Sequence, residues 1–130
     1  MRERLTPERF PRTEAKLNGF KAGFGTVLFF EDMDVVQGLI EKFPTYKDNF
    51  LSWSIQAAGI MEYVVWTALE AEGYGASLQH YNELIGEAVA KEWDLPSSWR
   101  INAQMPFGNI TAPPTEKTFL PLDGRLTIFR

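Results

Sequence analysis

The sequence predicts an α+β domain in which helices flank a sheet, and three observations predict it. Residues 26–30 (TVLFF) form an unbroken β-branched and aromatic run, the pattern of a strand buried on both faces. Residues 99–107 alternate, with Trp99, Ile101, Ala103, Met105 and Phe107 set against Arg100, Asn102, Gln104 and Pro106, the period of a strand with two distinct faces. Between and around these runs apolar residues recur at helical spacing, and such an order of elements favours a sheet covered by helices on both faces. A chain of 130 residues fits one domain, 1–130, and can bury a core.

Taken in order, Thr6, Pro7 and Glu8 suit a helix start, with a capping hydroxyl and an early proline and acid, but Pro11 interrupts it. A second short helix is expected over 13–21 on Ala15, Leu17 and Phe20, ended by the turn at Gly23, Phe24 and Gly25. After the 26–30 strand, Asp32 or Asp34 can cap a helix carrying Val35, Val36, Leu39, Ile40 and Phe43, which Pro44 stops. A long helix follows over about 49–72, apolar nearly all round, with a narrow polar face at Gln56, Glu62 and Thr67. A helix packed against a second subunit and a central core helix of a monomer account for that pattern equally well.

Gly73 and Gly75 break the long helix, and 76–81 reads as a short strand. Asn82 can cap the next helix, whose Leu84, Ile85, Ala88, Val89 and Trp93 form one stripe. The 99–107 strand follows, then a loop over 108–114 and a short final strand over 125–129.

Composition excludes several function classes. With 45% apolar and 14% aromatic residues the chain forms a core, and no apolar run is long enough to span a membrane. A net charge of −4 without a basic block argues against nucleic acid as a partner. The absence of cysteine excludes thiolate chemistry and is compatible with a reducing, cytoplasmic location, and no apolar signal-peptide core follows the charged start.

Side-chain chemistry of the usual kinds is also missing. His80 is the single histidine, so a zinc site would depend on carboxylates, and no metal is expected. Glu70 with Glu72, and Glu87 with Glu92, sit among other charges on helices and read as solvated faces. Ser52, Ser54 and Ser77 lie in no nucleophile elbow, and Gly73 with Gly75 lacks the third glycine of a dinucleotide loop. Phe50, Trp53, Trp66, Trp93 and Trp99, taken singly, are packing residues, and Lys117 taken alone is a surface lysine. What remains is a cofactor that carries the chemistry itself, or a binding role.

Several stretches together resemble the nitroreductase family of FMN-dependent oxidoreductases, in the branch related to the fatty-acid-repression protein of yeast. They are 20–32 (FKAGFGTVLFFED), 41–44 (EKFP), 65–73 (VWTALEAEG), 75–82 (GASLQHYN), 88–93 (AVAKEW), 103–108 (AQMPFG), 116–119 (EKTF) and 121–122 (PL), collinear over nearly the whole chain. The resemblance implies a homodimer with a helix-flanked mixed sheet, the long helix in the subunit interface, and FMN passing hydride from NAD(P)H to a nitroaromatic or quinone-type small-molecule acceptor, with no nucleic acid or membrane involved.

By position, the resemblance places Ser77, Gln79 and His80 beside the flavin, with backbone amides around Gln79 and His80 near its N5 edge, and Lys117 on the FMN phosphate. Phe50 and Trp53 resemble residues lining the substrate side. In many relatives a second basic residue stands two positions after the lysine, where this chain has Phe119. Relatives also carry, ahead of the part matching 5–20, a helix with an Arg-Arg-Ser phosphate motif and a first strand. The resemblance therefore implies a chain spanning the C-terminal two-thirds of the family domain, with weakened FMN binding. A non-catalytic dimeric remnant of the fold, or a fragment that does not bind FMN, is the alternative.

Overall fold

The computed structural model describes residues 10–129, so the expected start at Thr6, Pro7 and Glu8 lies outside the described residues. The elements are α1 (Phe10–Lys21), β1 (Gly25–Asp32), α2 (Met33–Lys42), a 3-10 turn (Pro44–Tyr46), α3 (Lys47–Ala71), β2 (Tyr74–Ala76), α4 (Asn82–Glu92) and β3 (Trp99–Asn109). The α+β class is borne out. Pro11 does not interrupt α1, because it falls in the first turn, where its missing N–H has no intrahelical partner to lose.

The sheet runs β1-β3-β2 and is antiparallel at both pairings. The resemblance implies a mixed sheet; every pairing among the described residues is antiparallel. Phe29 pairs with Ala103 and Phe30 with Ile101, so Asn102 is left over as a bulge in β3. The core sits on this strand: Ile101, Ala103 and Met105 are buried, joined by Val36 of α2 and Val89 of α4.

Residues 26–30 are exposed or half-buried rather than buried on both faces, since β1 is an edge strand paired on one side. Alternation along β3 also fails at Gln104, 4% exposed, which the chain after β2 covers. Asp32, not Asp34, caps α2, its carboxylate accepting from the Asp34 N–H at 3.1 Å. The long helix ends as expected at Gly73, whose φ of 85° is the left-handed conformation that glycine adopts without a Cβ penalty.

Two expectations about faces are corrected. The helix α3 packs against α2 and touches all three strands, yet Ile55, Ile60, Met61, Tyr63 and Val64 stay more than half exposed, so it is not a core helix within one chain. Its one buried residue is Glu62, from the supposed polar face, because that side turns toward β3 and α4. On α4, Leu84 and Trp93 are exposed and Val89 alone is buried, since the helix meets the sheet along one narrow line.

The short strand expected over 76–81 is replaced by β2 and a single bridge between Gln79 and Gln104. The final strand expected over 125–129 does not form. Residues 122–126 turn instead, with Arg125 and Leu126 N–H groups donating to the Leu122 carbonyl, and among the described residues no strand pairs with the tail.

Candidate functional site

The segment leaving β2 is pinned across the middle of β3. The Ser77 N–H donates to the Pro106 carbonyl (3.1 Å) and the Gln79 N–H to the Gln104 carbonyl (2.7 Å), and the Gln104 N–H returns to the Gln79 carbonyl (2.9 Å). Because backbone groups alternate along an extended chain, the N–H groups of Leu78 and His80 fall on the other edge, where they have no partner among the described residues. The 77–81 stretch thus presents two backbone donors outward from a rigid attachment.

Gln104 makes the attachment rigid. Its Oε1 accepts from the Tyr81 N–H (2.7 Å) and its Nε2 donates to Asn82 Oδ1 (2.6 Å), while Asn82 Nδ2 donates to the Asn102 carbonyl (2.7 Å). Asn82 therefore does not cap α4 as its identity suggests. Tyr81 occupies the cap position without a side-chain bond, and Asn82 is used instead to clasp the helix start to β3.

On the outer side Gln79 Nε2 donates to Ser77 Oγ (2.6 Å), and Gln79 Oε1 accepts from Lys16 Nζ (2.8 Å). The Lys16 ammonium also stands 5.4 Å from the Phe20 ring centroid and 5.8 Å from that of Tyr81, within cation–π range. Lys16 is the residue that sequence reasoning missed. It lies 63 positions before Gln79, and nothing local to α1 distinguishes it from a surface lysine.

Two clefts flank this segment. One, of about 780 Å³, lies between the end of α1, β2 and the end of β3, with Phe20, Phe24, Ser77 and Phe107 in its walls. The other, of about 680 Å³, lies between α3, α4 and the start of β3 and includes His80 and Glu62. Ser77 and Gln79 are thus brought together with Lys16, whereas the exposed His80 side chain turns to the second cleft.

Phe50 and Trp53 come together edge-on at 5.4 Å, within a cluster that Phe43 and Tyr46 extend, and line neither cleft. Lys117 is exposed on the chain after β3 and makes no hydrogen bond or ion pair among the described residues. The structure does not bring it to Ser77, Gln79 or His80. No group of three or more metal-ligating side chains occurs among the described residues, and none of their helices is long and apolar enough to cross a membrane.

A family model described as the Nitroreductase family matches residues 4–109, which include the whole 77–82 segment and its attachment to β3. The chain belongs to the nitroreductase family. Among nitroreductase-family relatives, Saccharomyces cerevisiae HBN1, named as a nitroreductase, is 42% identical over 100 residues, covering 77% of this chain and 51% of HBN1. Nitroreductase FRM2 of the same yeast is 38% identical over 97 residues, covering 75% of this chain and 49% of FRM2. The chain spans about half the length of these two yeast relatives.

Among solved nitroreductases, CinD from Lactococcus lactis in complex with nicotinic acid superposes with a TM-score of 0.87 at 53% identity, covering 97% of this chain and 68% of that one. A second CinD structure, with chloramphenicol, gives 0.87 at 55% identity, covering 95% and 66%. The resemblance read from the sequence is borne out in both family and branch. The family match ends with β3, so Lys117 lies beyond it.

Proposed function

We propose that this chain acts as an FMN-dependent oxidoreductase that passes hydride from NAD(P)H to nitroaromatic or quinone-type acceptors, as a cytoplasmic homodimer. The observation that carries the reading is the likeness to CinD over 97% of the chain, a nitroreductase whose solved complexes hold nicotinic acid, chloramphenicol and 4-nitrophenol, small ring compounds. The homodimer is supported by the uncovered apolar side of α3, where Ile60 and Tyr63 are 67% and 69% exposed.

The donor set beside β3 suits the polar edge of a flavin. Gln79 cannot offer its own N–H, which is committed to Gln104, but Leu78 and His80 keep theirs, and Lys16 adds a cation fixed through Gln79. In this reading Ser77, Gln79, His80 and Lys16 hold the ring system, Lys117 meets the phosphate, and Phe50 with Trp53 forms an apolar wall for the acceptor. When bound, FMN supplies the redox chemistry, accepting hydride from the nicotinamide and releasing it to the acceptor.

The chain contributes position and charge. The outward N–H groups of Leu78 and His80 would donate toward the polar edge of the bound ring, and the Lys16 ammonium would stabilise negative charge there. The role of Lys16 in this reading is to orient and to stabilise charge. Because Gln104 holds the segment from behind, these donors need no reorganisation when a ligand arrives.

Titration of FMN into the purified chain, followed by flavin fluorescence and by light scattering for mass, tests the proposal. Saturable quenching, a dimeric mass and affinity lowered about tenfold by Lys16→Met or Lys117→Ala are expected, each substitution removing one charge-assisted contact. A dimer that leaves FMN fluorescence unchanged at excess protein would establish the non-catalytic alternative and refute the flavoenzyme.

A further inference from the structure

Lys16, Gln79 and Ser77 form a hydrogen-bond relay whose polarity can be read atom by atom. An ammonium has donors and no lone pair, so the Gln79 side-chain atom 2.8 Å from Lys16 Nζ is the acceptor Oε1. That fixes the amide: the atom 2.6 Å from Ser77 Oγ is Nε2, which can only donate. Ser77 Oγ therefore receives this bond, and its own proton has no acceptor among the described residues. Turning the amide over would set its NH2 group against the ammonium, donor on donor. The rings of Phe20 and Tyr81, with centroids 5.4 and 5.8 Å from Nζ, also attract the Lys16 cation at this place.

The hydroxyl proton left over is available to the first cleft. Ser77 lines that cleft and is half-buried, whereas Asn109 and Thr111, the other polar side chains of the wall, are exposed. No lining residue carries a charge, and Phe20, Phe24 and Phe107 supply aromatic surface. Hydrogen bonds in series polarise one another, so a relay that begins at a cation makes the Ser77 hydroxyl a stronger donor than an isolated serine. The pyrimidine edge of a flavin carries carbonyl oxygens as well as a ring N–H. A donor of fixed polarity accepts the first and opposes the second.

We propose that Ser77 is a specificity-determining donor, set by Lys16 through the Gln79 amide to hydrogen-bond a carbonyl of the flavin ring from the first cleft. The identity of the ring rests on the flavin reading, whereas the polarity rests on the relay alone.

Fluorescence titration of FMN into the purified chain and amide NMR of the free chain test the two parts separately. Ser77→Ala is expected to lower FMN affinity about three- to tenfold, the worth of one hydrogen bond. In Gln79→Glu one carboxylate oxygen keeps Lys16 and the other accepts the Ser77 proton, so adding Ser77→Ala to that variant should lower the affinity no further. The Raman carbonyl band of bound FMN should move to higher frequency in Ser77→Ala and in Gln79→Glu alike. In the free chain a Gln79 Nε2 proton should move upfield in Ser77→Ala, while the Val27 and Met105 amides of the β1–β3 ladder stay in place. Equal losses from Ser77→Ala in the parent and in Gln79→Glu, or a carbonyl band that ignores both substitutions, would overturn the donor with FMN still bound. Gln79 side-chain protons unmoved by Ser77→Ala would overturn the relay with or without FMN. A parent chain that leaves FMN fluorescence unchanged overturns the ligand named here together with the flavoenzyme reading, a result distinct from the other two.

Discussion

Replacing Gln104 by leucine removes one amide and strands two groups. The Tyr81 N–H loses its acceptor at 2.7 Å and Asn82 Oδ1 its donor at 2.6 Å, beside a residue only 4% exposed. A fully buried group left unpaired costs about 1–3 kcal/mol. Tyr81 and Asn82 are half-buried, so water recovers part of that, and the two together should cost about 2–3 kcal/mol. For a domain of this size each kcal/mol lowers the melting temperature by about 3–5 °C, so a fall of about 6–15 °C is expected by calorimetry. Hydrogen exchange adds a local readout: the Gln79 and Tyr81 amides should lose more protection than Val27 or Met105, which pair with each other within the β1–β3 ladder. Gln104→Glu is the informative control, since one oxygen still accepts from Tyr81 while the other opposes Asn82 Oδ1, and it should fall between parent and leucine. A leucine variant that melts within about 2 °C of the parent, with unchanged exchange at Gln79 and Tyr81, would refute the claim that Gln104 holds the 77–81 segment.

Two further substitutions test the frame around the site. Gly23→Ala places a Cβ 2.8 Å from the Phe107 carbonyl and 3.1 Å from that of Phe20, both backbone, so the turn into β1 must move; overpacking of this kind costs about 1–3 kcal/mol, and a lowered denaturation midpoint with unchanged slope is expected. Asp32→Ala removes the cap on α2 and should cost about 1 kcal/mol in the same measurement, with Asp32→Asn retaining most of the stability because its side-chain oxygen can still accept from the Asp34 N–H.

Regular elements were legible where local pattern decides them. The TVLFF run gives β1, Gly73 ends α3, and the alternation of Ile101, Ala103 and Met105 gives the core of β3. Pattern failed where partners distant in sequence decide. Gln104 reads as an outward-facing polar residue and is buried because the 77–82 segment crosses it, and Asn82 reads as a cap and is drawn instead to Asn102. The strand expected over 125–129 has the composition of a strand, but composition supplies no neighbour, and a strand without one has nowhere to place its hydrogen bonds. Of the site, Ser77 and Gln79 were legible through the resemblance, while Lys16 reaches them only through the fold.

The bulge in β3 ties the length of that strand to the geometry of the site. Asn102 is the residue left out of the pairing with β1, and its carbonyl is the one that receives Asn82. Deleting Asn102 would restore an even ladder and at the same time remove the anchor of α4, whereas inserting a residue next to it would turn Ile101 or Ala103 from the core to the opposite face. Drift within the family can therefore exchange side chains along β3 more freely than it can change the count of residues between Ile101 and Gln104. An alignment of relatives should show that interval free of gaps even where identities are lost.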